Sequence, residues 1–463
     1  MLKKTVCILL SIITVIGITS AAAAYTPTGF EVDAKSALLV SLDTGEVMYK
    51  KNENKRVFPA SVTKIMTLVI MLESDRFNPD AAVTMTDAVD PLITGTDSSV
   101  SNLQVGEQIR QIDLAYYVLM SSAGDCAYLA ALTYGDTVEN FVKMMNDKAK
   151  ELGLKGTHYQ NPVGLHDEQN YTTAEDTYKL AVYALKNPTF KKICESSRYT
   201  VPATNMSGER TLSTTNFLID NTTDYYYVYA KGVKTGYTDE AGRCLVSTAS
   251  YNGYNYMCVL FGCTVSNDRR YEFIDSRNLY RWAFNNFSFK QVADSKNPVY
   301  EMPIELSSKT DYVSLYVENG FVSVLPDDAD ESTIIIKPNV KKGQKIDAPV
   351  KKGQVIATAD IIYAENVIGT VNLVSHENIE KSFFLSAIRS VKNFFTSPYI
   401  KVVYVIIGAA VLIFLIMVIL MNVRKPGKRK VKYVPFKEEP QKKNTAPDES
   451  SNTDDIVNDG LDP

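Results

Sequence analysis

Histidine is the scarcest of the side chains that commonly transfer protons in enzymes. The chain of 463 residues has three histidines, His158, His166 and His376, and they show no metal-binding spacing. We therefore expect any acid–base chemistry to depend on another residue type. We also expect no metal ion and no other cofactor.

Cysteine is also scarce and scattered. There is no Cys-x-x-Cys pair, so neither a zinc site nor a disulfide framework is indicated. A pairing of Cys258 with Cys263 is conceivable, but two buried strand cysteines are the preferred interpretation. The six cysteines are Cys7, Cys126, Cys194, Cys244, Cys258 and Cys263.

No strong excess of either charge is present. The net charge is −4, which gives a nucleic-acid role no electrostatic support. Hydrophobic residues make up 45% of the chain and charged residues 22%, as in ordinary globular proteins. The length is enough for two or three domains.

The first 24 residues have the three parts of a secretory signal. Lys3 and Lys4 precede an apolar run over residues 6–18, and four alanines follow at positions 21–24. We predict a signal peptide over residues 1–24. An uncleaved N-terminal anchor is the alternative.

A second apolar run predicts a membrane span. Residues 402–421 contain no charge and reach the roughly 20 residues needed to cross a bilayer. Six basic residues follow between positions 424 and 432. Because basic residues stay on the cytoplasmic side, we predict one pass through the cell membrane, with the body of the protein outside the cytoplasm. Residues 424–463 are polar and end acidic, and we predict a disordered cytoplasmic tail.

Residues 30–285 have the pattern of one mixed α/β unit. Strand-like runs at 37–40 and 47–49 precede helical stretches at 61–72, which is apolar on nearly every side, and at 114–132. Three β-rich runs, at 228–233, 243–249 and 256–263, suggest a meander.

Residues 298–374 change to short β-branched runs separated by turns. Two Lys-Lys-Gly-Gln turns, at 341–344 and 351–354, suggest a small antiparallel module. Residues 377–395 then place their apolar side chains on one helical face. This segment is either an interfacial helix beside the membrane span or a helix packed on the β-module.

The first chemical motif is Ser61-Val62-Thr63-Lys64, directly after Pro59-Ala60. Three residues separate Ser61 from Lys64, so the two share one helix face at the positive end of the helix dipole. Lys64 can accept the serine proton only when it is neutral, so burial or a neighbouring cation must lower its pKa. Alone the motif is weak, since an ordinary helix start can match it.

The second motif is Lys234-Thr235-Gly236, after a β-run. A lysine and a threonine at a strand edge can bind a carboxylate, and a glycine allows close approach of a substrate backbone. Lys234 can also be the cation that lowers the pKa of Lys64. Together and in this order, the motifs are typical of class A β-lactamases and penicillin-binding proteins.

The chain resembles the low-molecular-weight penicillin-binding proteins, which are serine-type D-alanyl-D-alanine carboxypeptidases. The resemblance covers residues 37–270 and continues more loosely to residue 374. It implies an α/β (α+β) penicillin-binding/β-lactamase-like transpeptidase fold at residues 30–285, then a small all-β domain at 298–374 and a C-terminal transmembrane helix. The stretches that carry it are residues 43–45, 59–67, 161–165, 172–174, 234–238 and 241–242, with the Lys-Lys-Gly-Gln turns.

The resemblance also implies roles. Ser61 is the expected nucleophile, Lys64 the general base and Ser122 a proton relay. The expected substrate-binding residues are Lys234, Thr235, Gly236 and Arg269, with Arg270 as the alternative to Arg269.

One position departs from the family pattern. The family's Ser-x-Asn motif falls at residues 122–124, where the asparagine is replaced by Gly124. We expect slower peptide turnover. We expect Gly124→Asn to raise it, unless the surrounding loop has closed over the missing side chain.

The implied reaction is removal of the terminal D-alanine from peptidoglycan stem peptides through an acyl-enzyme, with β-lactam antibiotics as inhibitors. Two alternatives stay open. A β-lactamase needs a glutamate that activates the deacylating water, and Glu168 is the candidate. A catalytically weak penicillin-binding receptor would suit Gly124 and the cytoplasmic tail.

Overall fold

A computed structural model describes residues 25–423. The predicted signal peptide (1–24) and the predicted tail (424–463) lie outside the described residues. Contacts divide the chain into two compact units that meet between Leu385 and Ser386. The first unit holds the mixed α/β domain and the β-rich module.

Regular elements occupy most of the first unit. Its helices are α1 (Lys64–Glu73), α2 (Asp90–Ile93), α3 (Gln111–Leu119), α4 (Gly124–Gly135), α5 (Val138–Glu151), α6 (Ala174–Ala184), α7 (Pro188–Cys194) and α8 (Tyr271–Asn286). Its strands up to residue 263 are β1 (Ser36–Ser41), β2 (Val47–Lys51), β3 (Ala82–Thr84), β4 (Gln108–Arg110), β5 (Arg198–Val201), β6 (Arg210–Ser213), β7 (Ala230–Thr238), β8 (Gly242–Tyr251) and β9 (Tyr254–Cys263).

A five-stranded antiparallel sheet in the order β2-β1-β9-β8-β7 forms the centre of the α/β domain. The predicted strands at 37–40 and 47–49 and the predicted meander are confirmed. Both faces are covered, since Leu38 and Val40 pack in the cluster that contains α1, while Ala37 and Leu39 pack in the cluster that contains α8. This alternation is the two-residue period of a strand, and it explains why β1 is apolar throughout.

The cysteines of this sheet are buried and free. Cys258 and Cys263 both lie on β9 without a disulfide, as the preferred interpretation expected. Burial raises the pKa of the Cys244 thiol to about 12, so this group stays protonated at neutral pH.

The predicted helix at 61–72 is confirmed in its main part. Helix α1 is buried from Lys64 to Met71, as its all-round apolar sequence indicates. Its first turn is a tighter 3-10 turn, Ala60–Thr63, that carries Ser61.

The predicted continuous helix at 114–132 is wrong. Two helices, α3 and α4, occupy this stretch, and the chain breaks between Leu119 and Gly124. At the break Ser122 has a φ of 60°, a left-handed conformation that stops a helix. The break brings Ser122 to the surface of a cleft instead of leaving it on a helix.

The β-rich module begins earlier than the predicted residue 298. Its first strand, β10 (Phe287–Ala293), starts directly after α8. Its main sheet has six strands in the order β14-β16-β17-β12-β11-β15, antiparallel except for the parallel pair β11–β15. The module's strands are β10 (Phe287–Ala293), β11 (Pro298–Glu305), β12 (Tyr312–Val317), β13 (Phe321–Pro326), β14 (Ile335–Pro338), β15 (Ile346–Asp347), β16 (Val355–Tyr363) and β17 (Asn366–Ser375).

A half-buried carboxylate joins this module to the α/β domain. Glu46, in the turn before β2, accepts hydrogen bonds from the Ser323 hydroxyl and from the Val324 backbone N–H at 2.6 Å. Burial raises the pKa of Glu46, although these hydrogen bonds oppose the shift.

Two helices follow the β-rich module, α9 (Phe383–Thr396), which crosses the boundary between the two units, and α10 (Pro398–Val423). Helix α9 starts later than the predicted residue 377, and none of its residues is buried. Helix α10 includes the whole predicted span at 402–421 and is long and apolar enough to cross a membrane.

Candidate active site

Ser61 and Lys64 meet at the start of α1. The Lys64 Nζ lies 2.9 Å from the Ser61 Oγ and donates a second hydrogen bond, also of 2.9 Å, to the Val163 carbonyl. Ala60, just before Ser61, has a left-handed φ of 47°. Such strained backbone conformations are concentrated at functional sites. The spacing that placed both side chains on one helix face therefore gives direct contact.

Burial makes Lys64 a competent base. The side chain is fully buried, and burial lowers its pKa from 10.5 to about 7, against the opposing effect of Asp125 and Cys126. Because its pKa lies near 7, about half of the amine is neutral at that pH. A neutral amine at hydrogen-bond distance can accept the serine proton.

Lys234 lies behind the surface of the cleft. It is buried and donates to the Thr235 carbonyl at 2.9 Å. Burial, and then the charge of Lys64, hold its pKa well below the usual range. Burial is thus the main cause of the pKa shift at both lysines. At Lys234 the charge of Lys64 lowers the pKa further.

Two glycines let neighbouring segments approach the nucleophile turn. A Cβ on Gly236 of β7 would lie 3.1 Å from the Pro59 carbonyl oxygen and 3.2 Å from the Ser61 nitrogen. A Cβ on Gly164, whose φ is +90°, would lie 1.8 Å from the Ala60 carbonyl oxygen. Gly164 can be replaced by no other residue without displacing backbone, and a side chain at Gly236 would be tight, so the two glycines let the 161–165 turn and β7 close around Ser61.

One cleft of about 330 Å³ brings most predicted site residues together. The predicted residues that line it are Ser61, Ser122, Thr235 and Gly236. Lys64 and Lys234 are buried behind these residues and do not line the cleft. Residues that line it and that the sequence did not single out include Asp97, Ser98, Ser99, Thr214, Thr215 and Arg243.

Of the two arginines after β9, Arg270 lines the cleft and Arg269 is exposed outside it. Arg270 precedes α8 and is turned inward by an ion pair of 2.6 Å with buried Glu272 and by the ring of Phe273 at 4.8 Å. Arg270 therefore replaces Arg269 as the candidate carboxylate ligand. The sequence could not separate them, because the choice depends on where α8 begins.

Arg243 and Thr215 add polar groups that the motif search missed. Arg243 stands opposite Tyr237 in the β7–β8 register and lies 5.1 Å above that ring. The Thr215 and Thr235 hydroxyls are 2.6 Å apart. The sequence could have indicated Arg243, because the register of the β7–β8 hairpin places it beside the strand that carries Thr235. Nothing comparable in the sequence indicated Thr215.

The Gly124 position is crowded. A Cβ there would lie 2.1 Å from the Ser98 Oγ and 2.9 Å from the Ile93 Cδ1. Both contacts are with the ends of side chains, so Gly124→Asn requires Ser98 and Ile93 to move, and the gain expected from this substitution depends on that movement.

The glutamate that a β-lactamase needs is not at this cleft. Glu168 has 81% of its side chain exposed and lies 3.8 Å from His166. Across residues 25–423, no glutamate lines the cleft, and the carboxylate that does is Asp97. This arrangement disfavours the β-lactamase alternative.

Comparison with known proteins agrees with this geometry. Residues 20–264 match the family Peptidase_S11, D-alanyl-D-alanine carboxypeptidase, and residues 288–381 match the C-terminal domain of penicillin-binding protein 5. The D-alanyl-D-alanine carboxypeptidase DacF of Bacillus subtilis (strain 168) is 29% identical over 360 residues, 77% of this chain and 88% of DacF. The D-alanyl-D-alanine carboxypeptidase of Streptomyces sp. (strain K15) is 33% identical over 248 residues, 51% of this chain and 82% of that protein.

Solved structures share the fold. Penicillin-binding protein 5 from Haemophilus influenzae superposes with a TM-score of 0.61 at 24% identity, covering 77% of this chain and all (100%) of that one. The Streptomyces K15 DD-transpeptidase superposes with a TM-score of 0.52 at 30% identity, covering 56% of this chain and 100% of that one. The predicted transpeptidase fold and the β-rich domain after it are thereby confirmed. The chain belongs to the D-alanyl-D-alanine carboxypeptidase family of low-molecular-weight penicillin-binding proteins and carries the C-terminal domain of penicillin-binding protein 5.

Proposed function

We propose that this protein is a serine-type carboxypeptidase that removes the terminal D-alanine from peptidoglycan stem peptides. The observation that carries the proposal is the buried Lys64 amine 2.9 Å from the Ser61 hydroxyl. An activated serine beside a neutral amine performs acyl transfer without histidine or metal.

Acylation begins when Lys64 takes the Ser61 proton and the Ser61 Oγ attacks the carbonyl carbon of the penultimate D-alanine. The backbone N–H of Ser61 and one on β7 beyond Gly236 are the candidate donors for the developing oxyanion. The C–N bond then breaks, and the leaving amine takes a proton that Ser122 relays from Lys64. In the second half Lys64 takes a proton from water as the water oxygen attacks the ester carbon. The bond from that carbon to the Ser61 Oγ then breaks, and Lys64 returns the proton to the Oγ.

The cleft has cationic groups that can bind a C-terminal carboxylate. Arg243 and Arg270 share one buried carboxylate, Glu272, at 3.9 Å and 2.6 Å, so Glu272 neutralises one of these two charges, and Asp97 also lines the cleft. Arg270 and the Thr235 hydroxyl are the proposed carboxylate contacts. Lys234, the residue before Thr235, would gain positive charge when an incoming carboxylate raises its pKa.

The acceptor of the acyl group is the finer part of the proposal. Similar proteins carry the names carboxypeptidase, DD-transpeptidase and D-alanyl-D-alanine endopeptidase. We propose water as the acceptor, hence carboxypeptidase activity. β-Lactams would acylate Ser61 in the same way and act as inhibitors.

We also propose that the chain is a single-pass protein of the cell membrane. Helix α10 is the span, and the basic residues after it stay in the cytoplasm. The catalytic domain then faces the cell wall, where stem peptides are found.

Ser61→Ala should abolish both labelling by a fluorescent penicillin and D-alanine release from a diacetyl-Lys-D-Ala-D-Ala peptide. We expect a loss of at least about 10³-fold in kcat/KM, because no acyl-enzyme can form. The matched control is Ser308→Ala, an exposed serine of the β-rich module, which should keep wild-type values. Labelling that survives in Ser61→Ala would place the nucleophile elsewhere.

The acylation rate should rise with pH through about 7 and level off above it. Neutral Lys64 is the base, so each pH unit below its pKa of about 7 should lower the rate roughly tenfold. Stopped-flow measurement of penicillin acylation gives the profile. The control is Lys231→Gln, which changes an exposed lysine on β7 and should leave the pH profile unchanged. A limb near the ordinary lysine value, about 10.4, would contradict the role of Lys64.

Protease added to intact cells should degrade the catalytic domain and spare an epitope fused after Pro463. The reason is that the basic cluster holds the end of the chain in the cytoplasm. Permeabilised cells are the control and should lose the epitope. An epitope that disappears from intact cells would overturn the orientation.

A further inference from the structure

Gly124 has crowded surroundings but an ordinary backbone conformation. It is the first residue of α4 and is not among the residues with positive φ, so its conformation suits any side chain. A Cβ there would lie 2.1 Å from the Ser98 Oγ and 3.0 Å from the Ser98 Cβ. Ser98 thus occupies the space in which a side chain at position 124 would begin.

The loop that carries Ser98 is fastened to the start of α4. The Gly124 backbone N–H donates to the Ser99 carbonyl at 2.7 Å. The Ser101 backbone N–H and hydroxyl both donate to the buried Asp125 carboxylate, at 2.9 Å and 2.5 Å to its Oδ2. These bonds fix Ser98 relative to Ser122, which precedes α4 by two residues.

The Ser98 hydroxyl is available to a ligand. Ser98 lines the same cleft as Ser61 and Ser122. Within residues 25–423 its hydroxyl makes one long hydrogen bond, 3.4 Å to the Ser99 carbonyl. A hydroxyl with such a weak partner can donate to a peptide carbonyl or accept from a peptide N–H.

We propose that Ser98 is a substrate-binding residue that hydrogen-bonds the peptide backbone of the stem peptide, in place of the asparagine absent at position 124. The inference rests on the proposed function. A hydroxyl supplies one donor where an asparagine amide at position 124 would supply two, so Ser98 replaces part of the hydrogen-bonding capacity that Gly124 lacks. Gly124 has no side chain, and the Ser98 hydroxyl occupies the space that a side chain at position 124 would fill.

The first test compares Ser98→Ala with wild type, using the full chain in detergent. Loss of one hydrogen bond to an uncharged peptide group should lower kcat/KM for the diacetyl-Lys-D-Ala-D-Ala peptide roughly tenfold. Thr94→Ala, an exposed residue of the same loop outside the cleft, is the control and should keep the wild-type value. Near-UV circular dichroism checks that both variants fold.

The second test uses the steric exchange itself. Gly124→Asn alone should lose activity or stability, because the new side chain meets Ser98. Adding Ser98→Gly opens that space, so the double variant should cleave the peptide faster than Ser98→Gly alone. A fully active Gly124→Asn, or a double variant no faster than Ser98→Gly, would contradict the inference.

The outcomes separate this inference from the proposed function. If wild type cleaves the peptide and Ser98→Ala cleaves it equally fast, the inference is overturned and the function stands. If wild type is acylated by penicillin but releases no D-alanine, the function fails. Ser98 is then judged by acylation, because penicillins carry an acylamide side chain: Ser98→Ala should slow labelling about threefold, and an unchanged rate overturns the inference.

Discussion

The burial of the Lys64 amine, with no carboxylate among its hydrogen-bond partners, is the constraint on which the site depends. The described bonds of its Nζ go to a serine hydroxyl and a backbone carbonyl, and neither neutralises a charge. The fall in pKa from 10.5 to about 7 corresponds to a penalty on the order of 5 kcal/mol for the charged form. That penalty is fully present below pH 7 and disappears as the pH rises towards 10.5, so the destabilising contribution of Lys64 is largest where Lys64 is charged.

Close packing of three segments maintains this burial. The apolar helix α1 supplies one wall, and the approaches at Gly164 and Gly236 bring the 161–165 turn and β7 against the nucleophile turn. Lys234 sits behind the same wall, buried and depressed in pKa by its own desolvation and by the charge of Lys64. Protonation of both lysine amines at once is therefore unfavourable until a substrate carboxylate binds.

Much of this arrangement was predictable because it is local in sequence. The spacing of Ser61 and Lys64, the glycine after Thr235 and the period of the three meander strands each follow from short-range rules. The break at Ser122, the choice of Arg270 over Arg269 and the closure of Ser98 over Gly124 were not predictable. Each depends on how one segment packs against a distant one, for which the sequence offers no period or spacing.

NMR titration of lysine side chains labelled with ¹³C at Cε tests most directly whether burial keeps a large fraction of the Lys64 amine neutral near pH 7. The Lys64 resonance, assigned by its absence from Lys64→Met, should titrate at about 7 in the free protein. A Lys64 resonance that titrates near the ordinary lysine value of about 10.4 would contradict the account.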